Sequence, residues 1–501
     1  MDKDTVDVLV AGAGPTGLML ASELALRGVR VVVLERRAEP DSTIKAGGIG
    51  ALASEALERR GLGPALDAEE AAAVEGMNAM KKSLGVRDGP PAGGIRRVGG
   101  HFAGLRLIDQ TLQREPGRRM RGVQQQSLER ILAEHAASLG VEVWREHTVE
   151  SFDDTGERVK VEARSPGGSR QLEAAFLVGC DGGRSTVRKQ AGFDFPGTAP
   201  TLTGHQALAE FDHPERLLPL GWRRTAVGMM SYGPTPGRVG LIEFDGPPAD
   251  REPPVTAAEV EQRLRRVSGA DVRITALHSA TRFTDNARQA SSYRRGRVLL
   301  AGDAAHVHPP FGGQGLNVGL VDAVNLGWKL AATVQGRAPD GLLDTYTAEC
   351  HPMAARALEN TLAQIALMRP DPQTTAMRRI VADLMTTHPD VNRYFGELMS
   401  SVTLRYDLGD DDPLVGRFVA DLELTIDGGV TRLFSLMRDG RGLLVDGDGV
   451  ASTQGAAWAS RVRGVKAPGA RSMLIRPDGC IAWAGRDGGL RPALERWFSA
   501  P

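Results

Sequence analysis

Val6 to Ala11 is an apolar run broken only by Asp7, the pattern of a parallel strand buried on both faces. Leu18 to Arg27 reads as a helix ended by Gly28, and Val29 to Leu34 as a second buried strand. Phe176 to Gly179 and Val298 to Ala301 are two further apolar runs of strand length, each followed by a turn. Between them short strand-like pieces alternate with polar turns from about Phe193 through Ala280; Val239 to Phe244 is the clearest strand, and a helix begins at Thr256-Ala257. Ser127 is expected to cap a helix running from Leu128. Glu69 to Asp109 lacks a clean period and contains Asp88-Gly89-Pro90-Pro91-Ala92-Gly93-Gly94, so it reads as a long excursion around short elements. Helical spacing recurs over Asn325 to Val334 and Leu343 to Met368, where Leu358, Leu362, Ile365 and Leu367 are expected to pack. Near the end, Arg471 to Ile475 and Cys480 to Ala484 are paired strand-like runs joined by Arg476-Pro477-Asp478-Gly479.

A chain of 501 residues suggests about three domains, with room for a cleft between them. Hydrophobic residues at 41% and charged residues at 25% indicate neither wholesale disorder nor a membrane protein. With 61 Lys+Arg against 62 Asp+Glu there is no overall field to attract nucleic acid, and Arg294, Arg295 and Arg297 read as a solvated turn. Cys180, Cys350 and Cys480 form no CxxC pair and no metal-ligand spacing, which fits a reducing cytoplasm. The start lacks a signal-peptide pattern, and no run approaches the roughly 18 apolar residues of a spanning helix. The expectations are a cytoplasmic monomer or homodimer with no metal, nucleic acid or membrane insertion.

Chemistry enters where the first strand ends, at Gly12-Ala13-Gly14-Pro15-Thr16-Gly17. The first glycine permits a tight turn, the second lets a pyrophosphate approach the backbone, and the third allows close helix-to-strand packing. Free amides at the helix start face the phosphates with a favourable dipole. Glu35, at the end of the second strand, is placed to accept from adenosine ribose hydroxyls, and Arg36 could lie along the adenine or phosphates. This predicts a Rossmann-type dinucleotide site in an α/β protein.

Two later blocks extend the pattern: Phe176 to Ser185, containing Gly179-Cys180-Asp181-Gly182, and Gly296 to Asn317, containing Gly302-Asp303-Ala304-Ala305-His306 and Pro309-Pro310-Phe311-Gly312-Gly313-Gln314-Gly315-Leu316-Asn317. With the glycine loop they resemble the three fingerprints of class A flavoprotein monooxygenases, the aromatic hydroxylases related to p-hydroxybenzoate hydroxylase. Asp303 can accept from a ribityl hydroxyl, and Gly312 to Asn317 offers amides to the flavin pyrimidine edge. Pro310, Gly313, Gly315, Leu316 and Asn317 are therefore candidate cofactor residues, as is Asp181, for which a structural turn role is the competing reading. The resemblance further implies that Arg121 and Gln125 contact FAD phosphate or ribityl oxygens, with Gln124 and Gln126 adjacent, and places Lys45 where the family often has Arg.

By the same resemblance FAD is held non-covalently, NAD(P)H (NADPH favoured) reduces it transiently, and O2 is captured as a C4a-hydroperoxide that hydroxylates an electron-rich ring. Gly99 to Gly104 and the segment from about Val402 look like parts of polyketide hydroxylases, which implies a polycyclic phenol or quinone as substrate. The implied organisation is an FAD-binding domain over 1–180 with an excursion at 69–109, a mainly β-sheet substrate domain over 181–280, a return with long helices over 281–395, and a thioredoxin-like C-terminal domain over 396–501. A Baeyer-Villiger monooxygenase, an FAD-dependent reductase or dehydrogenase, and a non-enzymatic flavoprotein are the alternatives. His101, His278, His306 and His308 are candidate bases, each read first as a satisfied core or surface histidine.

Overall fold

The computed structural model describes residues 5–85, 97–250, 253–447, 449, 454–485 and 488–501. The segment Asp88 to Gly94 lies outside the described residues. Three sheets carry the architecture, an α/β fold with mixed strand pairing.

The first sheet is built on Thr5–Ala11, which pairs in parallel with Val31–Glu35 on one side and Gly168–Gly179 on the other. Val298–Leu300 and Glu142–Arg145 extend it in parallel outwards. Val8, Leu9 and Val10 are completely buried, as the unbroken apolar run requires. Helix Pro15–Ala25 crosses back over the sheet and packs against the long helix Gln314–Val334. Two glycines of the latter allow the approach: a Cβ on Gly319 would lie 2.5 Å from Thr16 Oγ1, and one on Gly327 2.4 Å from Glu23 Cβ.

The second sheet is antiparallel, in the order Gly221–Arg224, Gly228–Tyr232, Arg238–Glu243, Thr203–Phe211, Ile274–Phe283. Helix Ala257–Ser268 covers its outer face with Val260, Leu264 and Val267, and it begins where the sequence implies, capped by Thr256, which accepts from Glu259 N at 3.2 Å. The opposite face fronts a cavity. The third sheet runs Val462–Lys466, Gly442–Asp446, Met473–Ile475, Ile481–Ala484, with the first pair parallel and the rest antiparallel. Helix Leu490–Phe498 packs Leu494 and Trp497 into one core with Trp328 of the long helix.

Several sequence expectations need correction. The helix after Arg121 spans Gln125–Ser138 with Gln124 at its cap position, so Ser127 lies in the first turn and caps nothing. The excursion read at Glu69 to Asp109 holds most of a helix, Gly63–Ser83, that buries only Leu66 and Met80. With so little of it facing the core there is no apolar stripe to reveal it. In helix Thr345–Met368 the buried positions include Ala354, Ala357, Asn360, Thr361, Gln364 and Ile365, whereas Leu358, Leu362 and Leu367 are only half-buried. Polar residues share the buried stripe, which blurs its period.

The turn between Met473–Ile475 and Ile481–Ala484 does more than reverse the chain. Arg476 is fully buried and bonds both Glu349 and Asp478, while Lys329 Nζ lies 2.8 Å from Glu349. Arg60 Nη2 donates to Pro477 O at 2.9 Å and pairs with buried Glu23, and Arg59 Nη2 donates to Asp478 O at 2.8 Å. The third sheet is thus fixed to the helices of the first by buried charges, most of them paired with one another, while Arg59 is held through a backbone carbonyl.

Candidate functional site

The glycine loop has the geometry expected of it, for three separate reasons. Gly12 has φ +104°, and a Cβ there would stand 2.5 Å from Cys180 O. A Cβ on Gly17 would stand 2.0 Å from Gly12 O, so the helix can start this close to the strand only without a side chain. Gly14 has neither constraint: its φ is −74° and a Cβ would meet nothing within 4 Å. The bare position at Gly14 therefore leaves room for something outside the chain. Pro15 opens the helix at a position needing no amide donor, and no side chain caps the free amides of its first turn.

Glu35 ends its strand beside this loop, its Oε2 accepting from Ala13 N at 2.8 Å and its Oε1 from Arg37 N at 2.9 Å. Arg36 is exposed. Asp181, in contrast, is occupied within the chain: it accepts from Ser185 Oγ at 2.5 Å, Thr186 N at 2.7 Å and Val187 N at 3.2 Å. Its carboxylate organises the following short helix, which is the turn role weighed against cofactor contact.

A cavity of about 1240 Å³ is walled by the second sheet, the 44–48 loop, Asp303 and the Pro310–Leu316 loop. Asp303 sits in the 3-10 turn Gly302–Ala304 whose cap position is Ala301, so it is not itself a cap; it is exposed and makes no hydrogen bond or ion pair with the described residues. Gly312 and Gly313 take left-handed φ of +72° and +63° to turn the chain into helix Gln314–Val334. That helix start has no side-chain cap, so its first amides are open to an outside acceptor. Pro310, Gly313, Gly315 and Leu316 line the cavity, as do Lys45, Arg121 and Gln125. Asn317 acts from behind, accepting from Gly50 N at 2.6 Å and donating to Gly313 O at 2.5 Å.

The cations inferred by resemblance are already engaged. Lys45 Nζ is 2.8 Å from Asp41, and Arg121 pairs with Glu58 at 3.0 Å, Glu70 at 3.3 Å and Asp67. Gln125 donates from Nε2 to Glu129 at 2.8 Å and from its backbone N to Ala46 O at 3.0 Å, tying the helix to the 44–48 loop.

The four histidines separate clearly. His278 is exposed and faces Glu210 at 3.1 Å. His306 is buried; burial lowers its pKa, but Asp322, 2.7 Å from Nε2, outweighs that and raises it. These two fit the surface and core roles expected first. His101 and His308 instead line the cavity. Burial, with the charge of Arg106, pushes His101 down to about 4. His308 is also lowered by burial; Nδ1 faces Pro309 O at 3.0 Å and Nε2 has no partner among the described residues. The sequence did not single out Trp222, Phe283 or Ile242 on the cavity floor, nor Gly396 and Met399 from helix Pro389–Ser400. Period-two alternation along the strands was the available signal for the first three.

A glycine loop open to a phosphate, an acidic residue ending the next strand, a free carboxylate at Asp303 and unpaired amides at Gln314 together suit a flavin dinucleotide. Residues 5–361 match the FAD binding domain family, and residues 412–501 match the aromatic-ring hydroxylase C-terminal family. The chain is 40% identical over 530 residues to the 12-dehydrotetracycline 5-monooxygenase/anhydrotetracycline 6-monooxygenase of Streptomyces rimosus, with 99% of each chain covered. It is also 40% identical over 504 residues to a rifampicin monooxygenase of Streptomyces venezuelae, again with 99% of each covered. A solved aromatic hydroxylase from angucycline biosynthesis superposes with a TM-score of 0.85 at 36% identity, covering 99% of both chains. The chain belongs to the FAD-dependent aromatic-ring hydroxylases and is a flavoprotein monooxygenase.

Proposed function

We propose that this enzyme hydroxylates a fused-ring phenol or quinone of polyketide type, using NAD(P)H, NADPH by preference, as transient reductant and O2 as co-substrate. The observation that carries the reading is the cavity: about 1240 Å³ exceeds the roughly 300 to 1000 Å³ of ordinary ligand pockets and accommodates a flavin ring together with a polycyclic ligand. Trp222, Ile242, Phe283 and Phe311 form an apolar bed, with the Trp222 and Phe283 rings each 6.3 Å from Phe311. Flat rings are held by such edge-on aromatic surfaces, while Ser231 and Thr281 face the same space and orient ligand oxygens. The relatives named above act on tetracycline-type and rifampicin substrates, which supports a large ring system here too.

FAD, when bound, supplies the redox chemistry and the activation of oxygen. Gly14, Pro15 and Thr16 would receive its diphosphate at the helix start, Glu35 its adenosine ribose, Asp303 its ribityl chain, and the Pro310–Leu316 loop its ring. The protein's part is to place the aromatic ring and keep water out. Helix Pro389–Ser400 closes the cavity with Met399, and Gln364 braces it, with Oε1 accepting from Ala103 N at 3.2 Å and Nε2 facing Met399 Sδ at 3.7 Å.

The test incubates holoenzyme, NADPH and 18O2 with monocyclic phenols, tricyclic to tetracyclic polyketides and cyclic ketones. One labelled oxygen gained on an intact polycyclic skeleton supports the reading. Lactone formation would select the Baeyer-Villiger alternative, and turnover of monocyclic phenols alone would remove the polyketide assignment.

A further inference from the structure

Around the cavity, positive charge is almost everywhere neutralised inside the chain. Lys45 pairs with Asp41, Arg119 with Glu70, Arg121 with Glu58 and Glu70, and Arg282 with Glu259; Arg114, Arg118 and Arg417 likewise face carboxylates. Arg405 has three backbone carbonyls. Arg238 differs. Among the described residues it has no acidic partner, and its guanidinium makes one hydrogen bond, from Nη2 to Lys45 O at 2.5 Å. Most of its five N–H donors remain free. The surrounding protein desolvates the group enough to lower its pKa to about 10. A partly desolvated guanidinium without a counter-ion is costly, and a ligand anion relieves that cost.

The backbone around Arg238 is arranged to receive it. Gly47 has no side chain where a Cβ would stand 2.5 Å from Arg238 Nη1, and Gln206 Nε2 donates to the same Lys45 carbonyl at 3.2 Å, holding the loop in place. The position is at the rim: Arg238 follows the turn Gly233–Gly237, whose Pro234 and Pro236 are exposed, and opposite it Lys45 is exposed too. On the same strand Ile242, in the apolar bed, lies four residues on, roughly 14 Å away at about 3.4 Å per residue. A ring system over Ile242 and Phe283 leaves Arg238 to a different ligand, one whose charged end stays near water.

We propose that Arg238 is an oxyanion subsite on the cavity rim that takes a phosphate group of the nicotinamide coenzyme during its transient visit. The FAD diphosphate has its own place at the Gly14 loop, so the coenzyme is the other phosphate-bearing ligand of this reaction. The assignment rests on the proposed use of NAD(P)H.

The experiment compares wild type with Arg238→Gln and Arg238→Lys as holoenzymes. Anaerobic stopped-flow reduction gives the apparent Kd and limiting rate for NADPH and for NADH; FAD affinity and substrate affinity are titrated separately. Arg238→Gln is expected to raise the coenzyme Kd about ten- to hundredfold, the worth of a charge-assisted hydrogen bond, with the limiting rate and FAD affinity nearly unchanged. Lysine should restore part of the loss, and pyrophosphate should compete with coenzyme in wild type but weakly in the Gln variant. Gly47→Ala, which displaces only the flexible end of Arg238, should reproduce the Kd effect. An unchanged coenzyme Kd in Arg238→Gln overturns the proposal. So does a loss confined to FAD affinity, or one confined to substrate affinity, since the oxyanion would then belong to that ligand. Failure of wild-type flavin to be reduced by either coenzyme would refute the reductant reading instead; NADPH binding followed by its own fluorescence would still test Arg238.

Discussion

Arg476, in the hairpin turn of the C-terminal sheet, donates from Nη1 to Glu349 Oε1 at 2.8 Å and from Nη2 to Oε2 at 2.7 Å, across 127 residues of chain. Both side chains are buried. Burial alone would raise the Glu349 pKa, but Arg476 and Lys329 together hold it down to about 2. Glu349→Ala leaves buried Lys329 without its carboxylate and Arg476 with Asp478 alone, and should cost about 3 to 5 kcal/mol, read as a lower urea midpoint. The sign with pH follows from the depressed value: the pair's contribution is complete above the ordinary carboxyl pKa of 4.5 and is lost as pH falls towards 2. Wild type should therefore lose stability across that window more steeply than Glu349→Ala.

Gly14 and Gly17 should answer substitution differently. Gly14→Ala or Gly14→Val meets no atom of the chain within 4 Å of the new Cβ and suits the observed φ, so the melting temperature should hold while FAD affinity falls. Gly17→Ala drives a Cβ into Gly12 O and should lower thermal stability first. Normal FAD affinity in Gly14→Val would refute the phosphate placement.

Asp303→Ala removes a carboxylate with no hydrogen bond or ion pair to the described residues, so the apoprotein should keep its stability. FAD affinity should drop by about 1.5 to 3 kcal/mol if the ribityl contact is as proposed. Fluorescence titration of apoprotein with FAD, beside a thermal melt, distinguishes this from a structural role.

His101 is held near 4 by burial and by Arg106, so the folded protein keeps it neutral at pH 7. Between about 4 and its unfolded value of 6.5 the unfolded chain binds the extra proton, so stability should climb with pH across that interval. His101→Phe should flatten part of that slope. NMR titration of the imidazole gives a direct check: a midpoint near 6.5 would show that the ring is not desolvated.

Much of the cofactor unit was legible in the sequence. The run Val6 to Ala11 gave its strand because a parallel strand buried on both faces needs apolar residues without alternation. The helix expected to begin at Thr256-Ala257 does so, because a helix start is settled within a few residues: Thr256 accepts from Glu259 N. The spacing of Gly12, Gly14 and Gly17 carried its own meaning, since a positive φ and close backbone approaches are local demands that glycine meets. Helix Gly63–Ser83 escaped notice because it buries two side chains; in Thr345–Met368, Ile365 is buried and Leu367 packs against the same core as expected, whereas Leu358 and Leu362 are half-buried because Asn360, Thr361 and Gln364 share the buried face.

What the sequence determined by itself was what a few consecutive residues enforce: the strand-to-helix turn, its open Gly14, and the acidic Glu35 at the next strand's end. The tertiary structure alone decided which charges are free. Arg121 looked available in one dimension, yet packing gives it three carboxylates, while Arg238, unremarked in sequence, is left at the cavity rim. Arg476 and Glu349 find each other only because two distant elements pack together. Backbone conformation is set by neighbours in sequence, but the worth of a charge depends on its solvent exposure and on the partners that folding brings beside it.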